Sequence, residues 1–400
     1  MDVIVLDGNQ RSALATVRSL GARGLRVAVG EDVLPSLSSR SSYCSHGFCY
    51  PSPYTDSDGF LKTIGEISAH YRGATLFPMT DVTMSEVLRN KALFSNYVIV
   101  PYADYEKYAT ASDKVALFRL SRTLNIPTPK TLFSSDFSDL KDIIFKSSQM
   151  GFPLVLKPAS SRIRTAHGWI GTGVRYAKNL SELKNILGNE PFKSYPYLLQ
   201  EKIEGPGVGI FLLIHNGSVL ARFAHRRIRE KPPSGGVSVL CQSINPPHAA
   251  LDAAERLMKA IEWSGIAMVE FKWDAHENIP KLMEVNARFW GSLQLAISAG
   301  VDFPYLVYCL AKGEKVDLQK DYKVGIKSRW ELGDLDHLLI RLRNKTAELS
   351  LPLGAPPKLT VLKEFIRDFL APSVRHEVFR PNDPGPFLFE MRQYLKDIIH

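Results

Sequence analysis

Gly265–Gly291, GIAMVEFKWDAHENIPKLMEVNARFWG, is the stretch on which the fold turns. Two alternating apolar runs, Ile266–Trp273 and Pro280–Ala287, flank the polar connection Asp274–Asn278, a hairpin signal. With the turn centred near Glu277, Glu270 and Glu284 stand at equal distances from it and face each other across the ladder. Asn286 lies two residues past Glu284 and shares its face, as does Arg288 if the strand continues. Facing carboxylates repel in a bare hairpin, and a hard cation removes that repulsion. Mg2+ takes oxygen ligands and is usually held by one or two carboxylates plus substrate phosphates. Arg288 is then placed to meet a phosphate oxygen. The alternative is an exposed hairpin whose charges face water. That suits a lone Glu better than Glu-x-Asn-x-Arg opposite a second Glu.

Working outward, 400 residues suggest two or three domains with a real core, and 45% hydrophobic with 23% charged residues is ordinary for a soluble globular protein. No apolar run is long enough for a membrane span, and the N-terminus enters a strand-like run without a basic leader, so neither membrane insertion nor export is expected. Cys44, Cys49, Cys241 and Cys309 are scattered without metal-binding spacing, which suits free thiols in a reducing cytoplasm. The net charge of +9 is not gathered into a basic tract, so nucleic acid is not an expected partner.

The N-terminal segment reads as βαβ: Val3–Leu6, a helix through Leu14, Val17 and Leu20, then Leu25–Val29. Only Gly8 stands in the first turn, so the Gly-x-Gly-x-x-Gly of a dinucleotide site is missing and a nicotinamide role is not expected. Ser36–Pro53 reads as loop. Ala74–Pro78 and Val98–Pro101 read as strands of a small parallel sheet. Thr80 and Asp81, at a strand end, read either as ligand contacts or as a helix cap.

Lys114 sits in the first turn of a helix, where it opposes the helix dipole, and Lys157 ends the strand Gly151–Pro158. Both suggest phosphate contacts. Ser160–Gly173, SSRIRTAHGWIGTG, reads as a lid over phosphates, with Gly171 and Gly173 among its glycines, or as a long hairpin tip. The strand Tyr197–Gln200 runs into Glu201-Lys202-Ile203-Glu204-Gly205, which suits an adenine edge. Arg226–Ser238, RRIREKPPSGGVS, reads as a mobile loop for an anionic substrate, with Arg226, Arg227 and Arg229 its candidate contacts or else plain surface charges. Tyr322–His400 mixes helical patterns with proline joints and carries no legible chemistry.

This ordered set resembles the ATP-grasp superfamily over about residues 1 to 315, most specifically in Met283–Gly291, MEVNARFWG. Within it, His225–Gly236, HRRIREKPPSGG, and Trp330–His337, WELGDLDH, look like predicted carboxylate–amine ligases related to the carbamoyl-phosphate synthase large subunit. The resemblance implies an α/β (α+β grasp) architecture. A Rossmann-like pre-ATP-grasp domain spans 1–108, an ATP-grasp domain 109–315 with its lid at about 130–200, and a mostly helical C-terminal extension 316–400. It implies ATP and Mg2+, or Mn2+, as cofactors. Lys114 and Lys157 match the phosphate lysines, while Gln200 and Glu201, with Lys202 and Ile203, match the adenine hinge. Glu270, Glu284 and Asn286 match the metal ligands, and Arg288 the residue near the transferred phosphate; Arg226 and Arg229, with Arg227, are the further catalytic candidates, for the substrate carboxylate or acyl phosphate. The usual ribose-binding acid past the hinge is missing from Gly205–Gly209, GPGVG.

The implied activity is amide formation between a small carboxylate and an amine through an acyl phosphate, releasing ADP and phosphate, in a protein that, like many relatives, is a homodimer. The alternatives are ATP-grasp phosphoryl transfer, carbamoyl-phosphate-like chemistry, and a non-catalytic ATP sensor.

Overall fold

The computed structural model describes residues 1–166, 168–319, 321–349, 351 and 354–399. His167 of the expected glycine loop, and Lys320, Ser350, Pro352, Leu353 and His400 of the C-terminal segment, lie outside them. Among the described residues no single helix is long and apolar enough to cross a membrane.

The chain opens with β1 (Val3–Val5), α1 (Arg11–Gly21), β2 (Val27–Glu31), β3 (Cys44–Cys49), α2 (Ser57–His70) and β4 (Thr75–Phe77). The four strands form a parallel sheet in the order β3-β2-β1-β4. The first turn is closed by side chains rather than opened by glycines. Asp7, in the left-handed region at φ 58°, accepts the amides of Met79 and Thr80 at 2.8 and 2.9 Å and the Thr83 hydroxyl at 2.6 Å. Two expectations change here. The Ser36–Pro53 loop contains β3, an edge strand that buries only Phe48 of its six residues and so leaves no apolar alternation to read. The expected strand Val98–Pro101 reduces to one parallel bridge, Ile99 to Thr75.

α3 (Asp81–Arg89) begins at Thr80, whose hydroxyl accepts the Thr83 amide, so Thr80 takes the capping role. α4 (Tyr105–Ser112) and α5 (Lys114–Thr123) follow, the second capped by Asp113, which accepts the Ala116 amide at 2.8 Å. Next come β5 (Thr131–Phe133), α6 (Leu140–Ser148), β6 (Leu154–Pro158), the hairpin β7 (Arg162–Thr165) and β8 (Gly168–Gly171), β9 (Arg175–Ala177), α7 (Leu180–Leu187) and β10 (Tyr197–Glu201). Strands β5-β10-β6-β9 form an antiparallel sheet with a core of its own built on Ile143, Leu154, Leu156, Leu183 and Leu199.

The third sheet is the largest, in the order β15-β14-β11-β12-β13-β16-β17. Its strands are β11 (Gly207–His215), β12 (Ser218–Lys231), β13 (Val237–Ser243), β14 (Gly265–Asp274), β15 (Ile279–Asn286), β16 (Lys327–Arg329) and β17 (Val374–His376). Asn216-Gly217 joins β11 to β12 with both residues at positive φ, the geometry that pair favours in a two-residue hairpin. α8 (His248–Ala260), α9 (Leu293–Ala299) and α10 (Phe303–Ala311) pack on this sheet. α1 lies against α9 and α10, and the Phe77 and Phe289 rings meet at 5.8 Å, so one core runs from the first sheet into the third.

Arg226–Ser238, expected as a mobile loop, is mostly ladder. β12 runs on to Lys231 and β13 resumes at Val237, with register shifts at Arg227/Arg229 and Arg229/Glu230 that disguise the strand in sequence. The C-terminal segment is helical, with α11 (Glu331–Arg343), α12 (Lys358–Leu370) and α13 (Gly385–Ile399), but β16 and β17 also extend the central sheet. The buried Arg18 of α1 binds Asp383 at 2.7 Å and the carbonyls of Glu377 and Val378, which ties this segment to the start of the chain.

Candidate active site

Glu270 and Glu284 are direct partners in the β14–β15 ladder, with Asn286 opposite Met268. A bulge follows, since Phe271 pairs with Leu282, leaving Met283 as the extra residue. The Asn286 side-chain amide donates to Glu270 Oε1 at 3.2 Å and to Glu284 Oε1 at 3.5 Å. With the amide turned over, its oxygen joins the carboxylate oxygens in an all-oxygen donor set that suits Mg2+ or Mn2+, with phosphate oxygens completing the shell.

The two carboxyls are not equivalent. Burial, with the charge of Glu284 added, raises Glu270 to about 7 against the pull of Arg227. Burial also works to raise Glu284, but Lys114 and Lys157 hold it below the usual carboxylate range.

Lys114, only 7% exposed, reaches Ser161 Oγ at 3.0 Å and Glu284 Oε2 at 3.5 Å. Lys157 ends β6 with its ammonium 3.8 Å from Met283 Sδ. Burial, helped by Lys114 and Lys272, pushes it down to about 8. Lys114, Lys157 and the carboxylates thus converge from four elements, α5, β6, β14 and β15.

The expected hinge, Gln200 to Ile203, lines a slot with Val155, Lys157, Tyr176 and Met283 between the second and third sheets. The slot is 60 Å3. Glu201 turns its carboxylate to the Lys130 amide and Lys281, at 2.9 and 3.3 Å, leaving backbone rather than side chain toward the slot. Gln200 is buried, donating to Thr131 Oγ1 at 3.0 Å.

The arginines separate sharply. Arg288 is gripped by Asp81, Nε to Oδ1 at 2.7 Å and Nη2 to Oδ2 at 3.0 Å, so the N-terminal segment supplies the counter-charge. Burial opposes ionisation of Asp81, but Arg288, with Lys114 and Arg162, keeps its pKa low. Arg226 and Arg229 do not reach the carboxylates. Arg226 is exposed and donates to Gln242, and Arg229 is buried between Asp334 and Asp368. Regular pairing with Gln242 sets the direction of Arg226, and the register shifts after Arg227 set that of Arg229. It is Arg227 that reaches Glu270, together with Glu230 at 2.9 Å and the Gly236 carbonyl at 3.0 Å.

The glycine loop is a hairpin docked on the N-terminal segment. The Trp169 amide donates to the Tyr54 carbonyl at 3.0 Å, and the indole donates to the buried Glu86 at 2.9 Å. Gly171 ends β8 and Gly173 lies in the exposed connection to β9; the cavity holding Lys114 is lined instead by Ser160–Arg164 and Trp169 of this loop.

Two cavities meet at Glu284 and Asn286. One, of 360 Å3, is lined by Asp81, Lys114, Ser161 and Arg162. The other, of 340 Å3, is lined by Arg11, Arg227, Arg288, Trp290 and Ser292, with Glu270 at its edge. Sequence reasoning missed Arg11, which arrives from α1, and Trp290, whose buried indole N–H has no partner among the described residues. Only the aromatic pair in Phe289-Trp290 could have signalled the latter. Buried His225 sits at the same wall, with Nδ1 3.3 Å from Ser292 Oγ; burial and then Arg227 push it down to about 3, so it is neutral.

Residues 193–331 match the family described as "ATP-grasp in the biosynthetic pathway with Ter operon". The chain is 23% identical over 213 residues to D-aspartate ligase of Enterococcus faecium, covering 50% of each chain. It is 25% identical over 247 residues to the carbamoyl phosphate synthase large chain of Thermoanaerobacter pseudethanolicus, covering 59% of this chain and 22% of that one. The chain therefore spans half the length of the first relative and less than a quarter of the second. Among solved structures, it superposes on the biotin carboxylase domain of Hydrogenobacter thermophilus 2-oxoglutarate carboxylase, a complex with MgADP. The TM-score is 0.64 at 14% identity, covering 82% of this chain and 73% of that one.

Proposed function

The chain has the ATP-grasp fold, and from that premise we propose that it is an ATP-dependent carboxylate–amine ligase working through an acyl phosphate. One observation carries the reading: the cavity that holds Lys114 and the cavity that holds Arg288 share Glu284 and Asn286 as their common wall. A phosphate donor on one side and an acid on the other meet across the candidate metal ligands, the arrangement that in-line phosphoryl transfer requires. The amide-forming relative, D-aspartate ligase, supports the same reaction class, and the MgADP in the structural neighbour supports ATP with Mg2+.

Each residue then has a task. Lys114 and Lys157 hold nucleotide phosphates, and the backbone at Lys202 and Ile203 meets the adenine edge. Glu270, Glu284 and the Asn286 oxygen hold Mg2+, which supplies charge neutralisation at the transferring phosphate. Arg288 faces the arginine-lined cavity and neutralises the acyl phosphate oxygens, while Trp290 and Ser292 offer donors to the acid. The acid carboxylate attacks the γ-phosphorus and ADP leaves; the amine nitrogen then attacks the acyl carbon and phosphate leaves. Ser161 and Arg162, carried by the docked hairpin segment, keep water from the acyl phosphate.

The test is product analysis with Mg-ATP and a pool of amino acids and small acids. Acid-dependent ADP and phosphate are expected, and Glu284→Gln lowers turnover by about 10²-fold or more. AMP and pyrophosphate as products would sink the reading.

A further inference from the structure

A guanidinium already stands at one of the two metal carboxylates. Arg227 is paired with Glu270, and Lys114 lies 3.5 Å from Glu284, so each facing acid is matched by a cation of the chain itself. Arg227 gets there by lying across Gly207, where an added Cβ would come within 3.0 Å of its Cδ. The next residue on that face, Gly209, leaves room in the same way for the His225 ring. The Gly-Val-Gly that lacks a ribose-binding acid therefore has a different use: it is the trough through which Arg227 crosses the sheet.

The guanidinium also has somewhere else to be. Glu230 accepts from Nη1 at 2.9 Å and the Gly236 carbonyl from the same nitrogen at 3.0 Å, so leaving Glu270 does not strand the charge. Arg227 lines both the 340 Å3 cavity and a second one of 440 Å3, walled on its far side by His337, Arg341 and Val361 of the C-terminal helices. Its side chain stands where the two adjoin.

We propose that Arg227 and the divalent cation exchange at Glu270. In the metal-free chain Arg227 closes the carboxylate pair; on metal loading it withdraws onto Glu230 and opens the arginine-lined cavity toward the C-terminal one. Arg227 is thus a positioning residue that makes access between the cavities depend on the metal. The proposal rests on the metal assignment made above, but not on the identity of the acceptor.

The experiment is Mn2+ binding followed by electron paramagnetic resonance on the full chain, without nucleotide or acid. Arg227→Met, which keeps the aliphatic stem, is expected to bind Mn2+ about tenfold more tightly than the native chain, since a charged partner no longer competes for Glu270. Arg227→Lys keeps the charge but loses the forked reach to both acids, and is expected to fall between the two. A purely structural arginine would leave metal affinity unchanged or lower it in Arg227→Met, and either result overturns the exchange. Mn2+ binding at native strength in both variants overturns the exchange alone. Absence of Mn2+ binding from native chain and variants alike overturns the metal assignment with it.

Discussion

Arg227 and Arg229 stand two residues apart on one strand, and each joins a pair of acidic side chains. The acids of the Arg229 cluster are saturated: Asp334 accepts Nε and Nη2 at 2.6 and 2.9 Å, Asp368 accepts Nη1 at 2.9 Å, and Arg329 and Lys327 pair with the same two carboxylates. Its side chains are 6% exposed or less at Arg229, Asp334 and Asp368. The Arg227 cluster has the same ingredients but is open, with Glu284 34% exposed and a cavity on either side. Closed, such a cluster locks the C-terminal helices to the sheet. Open, it leaves carboxylate oxygens that a metal can take. Saturation and access, rather than residue type, separate structure from chemistry here.

The largest expected effect breaks the comparison on its closed side. Asp334→Ala leaves Arg229 and Arg329 buried with too little counter-charge, and is expected to destabilise the fold by about 3–5 kcal/mol, measured by urea unfolding. Glu284→Gln, by contrast, should leave the unfolding midpoint nearly unchanged while turnover falls. If the two variants destabilise equally, the distinction between closed and open clusters is wrong.

What could be read beforehand follows the same division. The facing of Glu270 and Glu284 is local: it depends on one hairpin, and the count from Glu277 is one residue off between the turn and Met283 and comes right at this pair because Met283 is the extra residue. Lys114 and Lys157 are legible because each sits where a positive charge has no local partner. Arg226, Arg227 and Arg229 were legible as a group but not individually, since the pairing of β12 with β11 and β13 decides which face turns inward and the register shifts after Arg227 then set the direction of Arg229. Asp81 with Arg288, and Arg11 in the same cavity, join segments some 200 residues or more apart and leave no periodic trace. β16 and β17 are three residues each, too short for a pattern.

A smaller effect probes the open side by pH. Lys157 is pushed down to about 8, chiefly by burial, so it carries its proton below that pH and loses it above. Mg-ATP affinity is therefore expected to fall as pH rises through about 8, by up to tenfold per unit, with proton uptake on binding. Calorimetry in buffers of different ionisation heat measures that uptake. Lys157→Arg, whose charge persists, should flatten the profile even if its affinity is lower. A native profile flat across this range would remove Lys157 from phosphate binding.

The smallest expected effect is the one that most directly tests the strand's register. Arg226 projects to solvent and donates to Gln242 Oε1, at 3.0 and 2.7 Å, whereas its neighbour crosses the sheet to Glu270. Arg226→Ala should leave turnover within about twofold and stability within about 0.5 kcal/mol, as surface changes do. A one-residue slip in β12 would exchange the two faces, placing Arg226 in the cavity and Arg227 in water. A loss of Mn2+-dependent turnover in Arg226→Ala, with Arg227→Met silent, would therefore mean that the pairing of Arg226 with Gln242 and of Arg227 with Cys241 is misplaced, and that the open cluster is built on the wrong arginine.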